Sequence, residues 1–134
     1  MPARILVADD NAPNLELMLY LLRACGHEVH GVADGLAAWA ATRDQHYDLI
    51  LTDVLMPGID GYEFARRLSA DQRRVPLIAV TALAMVGDRD RLLASGFDGY
   101  VAKPIEPPAF IAYVEAYLPE SLRSRGVRGN DSGR

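Results

Sequence analysis

Five short apolar runs, each followed by a polar loop and a stretch of helical period, constrain this chain more than any other feature. They are Ile5 to Ala8, Val29 to Val32, Leu49 to Thr52, Leu77 to Val80 and Tyr100 to Ala102. Runs this continuous suit strands covered on both faces, and a strand–helix alternation repeated five times predicts a parallel sheet between two helical layers. Strands are expected near residues 4–8, 28–32, 48–52, 76–80 and 98–102, with helices near 13–25, 35–45, 61–70, 84–95 and 106–118. Pro13 is placed to open the first helix, and Gly26 and Gly96 to end the first and fourth.

Four of the five runs end on groups that can handle a phosphoryl group: Asp9 and Asp10, Asp53, Thr81, and Lys103. The remaining run ends on Ala33, Asp34 and Gly35, which read only as a turn. Placing that run at the sheet edge gives strand order 2-1-3-4-5 and leaves the four reactive ends adjacent, on the edge where open α/β sheets bind ligands. The expected fold is therefore a flavodoxin-like (βα)5 three-layer sandwich.

The bulk numbers agree with one domain. At 134 residues, 50% hydrophobic and 24% charged, the chain has the make-up of an ordinary globular protein, and no apolar run approaches a membrane span. Met1 to Arg4 lacks the basic and apolar regions of a secretory signal, and a single cysteine, Cys25, fits a reducing compartment, so a cytoplasmic location is expected. Net charge is −4, yet Arg123, Arg125, Arg128 and Arg134 outweigh Glu120 and Asp131 after Pro119, so the folded part is more acidic still. That balance disfavours direct nucleic-acid binding. Residues 1–119 are expected to form the domain, and 120–134 a flexible polar and basic tail.

Crowding three acids needs compensation, because two unit charges about 4 Å apart repel by about 4 kcal/mol at an effective dielectric near 20. A hard cation with oxygen ligands supplies it, and Mg²⁺, with Mn²⁺ as a substitute, suits carboxylates that share it with water and phosphate. Lys103 adds a fixed positive charge, and Thr81 a hydroxyl donor, for an incoming dianion. Asp53 is the expected nucleophile, since the Met56-Pro57-Gly58 turn after it holds an open loop ahead of the next helix.

Over Arg4 to about Leu118 the chain resembles a bacterial two-component response-regulator receiver domain. Asp9 and Asp10 match that family's acid pair, Asp53 its phosphoacceptor, Thr81 its signalling hydroxyl, Tyr100 its switch aromatic and Lys103 its lysine. The Lys103–Pro104 pair matches its usual cis bond, and Thr81-Ala82-Leu83-Ala84-Met85 is most similar to single-domain regulators and hybrid-kinase receivers. The resemblance implies a metal site of Asp10, Asp53 and the Leu55 carbonyl, with Asp9 reaching the ion directly or through water. It implies a phosphohistidine donor on a sensor histidine kinase or histidine phosphotransfer protein. It also implies a switch in which Thr81 and Lys103 move toward the phosphate, Tyr100 turns inward, and the helix 4, strand 5 and helix 5 surface controls a protein partner. No turnover of a separate substrate, no membrane attachment, and a monomer or phosphorylation-dependent dimer are expected. The short stretch after the fifth helix favours a stand-alone receiver.

A flavin binder shares the sheet order but lacks three acids in this place. A dehalogenase-like hydrolase wants a second acid two positions after the nucleophile, where Leu55 stands. His27 and His30 fall on opposite faces of a strand and read as exposed or half-buried, while Cys25 and Trp39 read as core filling. Leu15 and Leu19 lie outside the main apolar stripe of the first helix and are candidates for docking the phosphodonor.

Overall fold

The computed structural model describes residues 3–71, 75–82 and 87–123. Five strands, β1 (Arg4–Ala8), β2 (Glu28–Val32), β3 (Leu49–Thr52), β4 (Leu77–Thr81) and β5 (Gly99–Ala102), form one parallel sheet in the order β2-β1-β3-β4-β5. The helices are α1 (Ala12–Ala24), α2 (Gly35–Asp44), α3 (Gly61–Ala70), α4 (Asp88–Ala94) and α5 (Pro107–Glu115). Both the order and the layering are those expected from the sequence.

Alternation along each strand sends side chains to two cores. Leu6, Ile50 and Ala79 face α2, α3 and α4 through Ala38, Phe64 and Leu92. Ile5, Val7, Leu51 and Val80 face α1 and α5 through Met18, Leu22, Phe110 and Val114. The three inner strands are buried along nearly their whole length, whereas the edge strands β2 and β5 are only partly so. Side-chain oxygens of Asn11, Asp34 and Asp60 accept the amides of Asn14, Ala37 and Glu63, fixing the starts of α1, α2 and α3. Gly26 and Gly96, with φ of 91° and 109°, follow α1 and α4 in the left-handed conformation that helix ends favour.

Some boundaries differ from expectation. Thr81 completes β4 instead of following it. The proposed start of the fourth helix at 84 lies outside the described residues, as do Leu83 to Met85; α4 is described from Asp88. Helix α5 stops at Glu115 and not at 118, because Tyr117 and Leu118 donate to carbonyls three residues back and tighten the chain into a turn. Beyond Pro119 a 3₁₀ turn spans Glu120–Leu122, Leu122 packs on the α1/α5 core, and Arg123 Nε donates to the carbonyls of Glu115 and Leu118. The rest of the expected tail, 124–134, lies outside the described residues. Among the described residues no helix is long and apolar enough to cross a membrane.

His27 corrects the sequence reading: it is buried. Its Nδ1 accepts the Ala3 amide at 3.1 Å, so the proton sits on Nε2, which donates to Glu115 Oε2 at 2.7 Å across 88 positions of chain. His30 is exposed as expected and lies 2.7 Å from the Tyr47 hydroxyl. Trp39 is half-buried, but it also carries the Arg43 and Arg67 guanidinium groups 4.5 and 5.6 Å from its ring centroid.

Candidate functional site

The C-terminal ends of β1, β3, β4 and β5 lie side by side, and each delivers its polar residue there because the chain leaves the sheet at that point. Carboxylate oxygens of Asp9, Asp10 and Asp53 all lie within 4.8 Å of one another. Asp9 is fully buried and Asp53 nearly so, while Asp10 faces solvent. Lys103 Nζ sits 2.9 Å from Asp53 Oδ2 and 3.2 Å from Asp9 Oδ2, bridging the two buried acids. Thr81 is buried beside them at the end of β4, its carbonyl accepting the Lys103 amide at 2.9 Å. The Lys103–Pro104 bond is cis.

Burial raises the Asp9 pKa above the ordinary aspartate value; the Asn11 amide at 2.8 Å and the Lys103 charge work against that rise without cancelling it. Burial alone would lower the Lys103 pKa, but the hydrogen bond and charge of Asp53, then those of Asp9, outweigh it and hold the ammonium above its usual value. Three carboxylates against one ammonium leave the pocket short of positive charge. Asp9 Oδ2 is buried with the Lys103 ammonium at 3.2 Å, and its remaining lone pair is suited to a hard cation.

The loop after β3 is held open from outside. The Leu55 amide donates to Asp53 Oδ1 at 3.3 Å, and the Leu55 side chain is 62% exposed. Gly35, the first residue of α2, presses on this loop so closely that a Cβ there would meet the Ile59 carbonyl oxygen at 1.8 Å. Leu36 is exposed beside it and packs near Gly58. The sequence reading missed this brace, whose only signal was Gly35 directly after the capping Asp34.

Tyr100 on β5, the candidate switch aromatic, has a half-buried ring against the α2–α3–α4 core. Its amide donates to the Tyr113 hydroxyl of α5 at 2.9 Å, another contact the sequence reading did not anticipate. Leu15 and Leu19 are half-buried and lie over Gly31 of β2, where a Cβ would be 2.9 Å from Leu19 Cδ1 and 3.2 Å from Leu15 Cδ1. They widen the buried face of α1, which is the bland alternative to a docking role.

Known proteins with this arrangement are numerous. The family model for the response regulator receiver domain matches residues 5–115. The polar-differentiation response regulator DivK of Brucella ovis is 37% identical over 123 residues, spanning 90% of this chain and all of that protein. The receiver domain of the sensor histidine kinase PA1611 from Pseudomonas aeruginosa, solved with magnesium coordinated in its active-site cleft, superposes with a TM-score of 0.79 at 37% identity over 87% of this chain and 98% of that one. The chemotaxis response regulator CheY4 of Vibrio cholerae gives a TM-score of 0.81 at 28% identity, over 88% of this chain and all of that one. With the fold, the strand-end cluster and a family match covering most of its length in agreement, this chain belongs to the response regulator receiver domain family of two-component systems.

Proposed function

We propose that the protein is a phosphorylation-dependent signalling switch in which Asp53 accepts one phosphoryl group. The single observation that carries this reading is Lys103 Nζ bridging Asp9 and Asp53, with Asp10 completing a tight acidic cluster. An Asp53 carboxylate oxygen attacks phosphorus, the P–N bond of a phosphohistidine breaks, and the bonding pair stays on the departing imidazole nitrogen. The donor is a sensor histidine kinase or a histidine phosphotransfer protein. Asp10, Asp53 and the Leu55 carbonyl would hold Mg²⁺, or Mn²⁺ in its place, with Asp9 reaching it directly or through water. When bound, the ion neutralises charge on the carboxylates and on the phosphoryl oxygens.

The chain's own residues do the rest. Lys103 leaves the Asp53 oxygen for the new phosphate, Thr81 donates its hydroxyl to it, and Tyr100 turns further inward. The α4, β5 and α5 surface then controls a protein partner. Leu15 and Leu19, packed on Gly31, contribute to donor docking only through the part of each side chain left exposed. The receiver comprises residues 1–119 with the packed turn at Glu120–Leu122, and the tail expected over 120–134 begins after it; the protein acts in the cytoplasm, without direct nucleic-acid binding, as a monomer or as a dimer formed on phosphorylation. It turns over no separate substrate, and Leu55 in place of a second acid speaks against a phosphohydrolase.

The test is incubation with a small acyl-phosphate donor and Mg²⁺ followed by intact-mass measurement. Wild type should gain one phosphoryl group and Asp53→Ala none. A gain that persists in the variant would overturn the acceptor assignment, and sustained phosphoester turnover would favour the hydrolase.

A further inference from the structure

The free edge of β5 is closed by two tyrosines, Tyr113 of α5 and Tyr117 two residues past its end. The Tyr100 amide donates to Tyr113 Oη at 2.9 Å, the hydroxyls of Tyr113 and Tyr117 lie 3.3 Å apart, and Tyr117 Oη donates to the Asp98 carbonyl at 3.2 Å. These partners leave one consistent order of protons. Tyr117 spends its hydrogen on Asp98, so Tyr113 donates to Tyr117 while accepting from Tyr100. The chain of bonds starts on β5 at Tyr100, passes through Tyr113 of α5 and then Tyr117, and ends on Asp98 just before the strand, clasping strand to helix.

Gly99 makes room for the clasp. It faces the α5 layer, and a Cβ there would come 2.3 Å from Tyr117 Oη, 2.5 Å from Tyr113 Oη and 2.9 Å from Tyr117 Cζ. Any other residue would push both rings off the strand. The two phenols sit one helical turn apart with ring centroids at 5.4 Å, so they present as one unit. Burial first, and then the bond to Tyr117, hold the Tyr113 pKa above the ordinary tyrosine value and keep its donor hydrogen in place. Asp98 anchors the far end, its Oδ2 accepting the Leu77 amide at 2.8 Å and its own amide donating to the Leu77 carbonyl at 2.7 Å.

We infer that Tyr113 is a positioning residue that makes the Tyr100 backbone and α5 move as one body, so that a change at the β5 end is delivered to α5 through its hydroxyl. This rests on the switch function proposed above. Tyr100 has its ring in one core and its amide tied to the helix that covers the other. Without the hydroxyl, the Tyr100 ring can reorient while α5 stays where it is. With it, displacement of the strand pulls on the helix that carries much of the proposed output surface. Tyr113 touches none of the reacting groups, so its effect is on transmission and not on acceptance.

The experiment compares wild type, Tyr113→Phe and Gly99→Ala by amide NMR before and after Mg²⁺ and beryllofluoride, a stand-in for the aspartyl phosphate. In wild type the added ions should shift amides around Asp53, Thr81 and Lys103 and also those of Phe110 to Glu115. In both variants the first set should shift as in wild type, while the α5 shifts fall by about half or more, as expected when a shared hydrogen-bond network is cut. Amide exchange at Tyr100 should quicken in Tyr113→Phe. Full α5 shifts in Tyr113→Phe, or unchanged exchange at Tyr100, would overturn the coupling while leaving the switch function standing. No response around Asp53 in wild type would instead overturn the switch function, and the coupling with it.

Discussion

Asp9 and Lys103 set the electrostatic character of the pocket. A carboxyl whose folded pKa lies above its unfolded value favours folding most when both states are protonated, and that advantage is lost as pH rises through the folded pKa. As pH rises above the aspartate range the buried Asp9 carboxyl therefore becomes a burden on the metal-free fold, and Asp9→Asn should raise the urea midpoint at pH 7. The difference from wild type should shrink as pH falls below the aspartate range; an equal or lower midpoint at pH 7 would show that burial does not dominate at Asp9. Lys103 runs the other way, its raised pKa giving stability that is full below the ordinary lysine value and lost only in strong alkali. Lys103→Ala removes charge-assisted contacts to two buried acids and should cost about 1.5–3 kcal/mol of unfolding free energy without metal. Exposed Leu55 gives hydrolytic water little to hold on to, so Leu55→Asn should speed loss of the phosphoryl group, read by mass against time; an unchanged rate would remove the idea. Asp9 and Lys103 were legible because each closes an apolar run. His27 was not, because its partner Glu115 is distant in sequence and no spacing marks the pair.

Helices show where local rules were enough and where packing had the last word. The Asp34 cap of α2 was written in the sequence, and Asp34→Ala should cost about 1 kcal/mol in chemical denaturation. The sheet-facing stripe of α1 was also visible, but its width was not, since it depends on Gly31 of β2 leaving space that Leu15 and Leu19 fill. Leu19→Ala should therefore destabilise by about 1–2 kcal/mol, less than the 2–5 of a fully buried leucine because the side chain is half-exposed. A value near zero would free Leu19 for a role purely at the surface. The early end of α5 was hidden for a related reason. Its apolar period continues past Glu115, through Leu118, and only the backbone turn that brings Leu118 into the core shows that the helix has already stopped.

At the scale of the whole molecule, sheet order was legible because placing the unreactive β2 at an edge leaves every reactive strand end next to another, and the flavodoxin-like order does this. What the sequence could not reveal is how the two sheet edges are closed. On β2 the Val29 carbonyl accepts Arg23 Nη2 at 3.1 Å, and on β5 the Tyr100 amide is taken by Tyr113. Both closures spend helix side chains on backbone groups that would otherwise be open to pairing with another chain.

The contact between His27 and Glu115 carries a mechanical consequence. It fixes the last residue of α5 against the start of the sheet, at the far end from the acceptor pocket. Tyr113 lies two residues from that anchor and Pro107 eight, or about 3 Å and 12 Å along the axis at the helical rise. The helix is thus pinned at its C-terminal end, and by those lengths any tilt about Glu115 would displace Pro107 roughly four times as far as Tyr113.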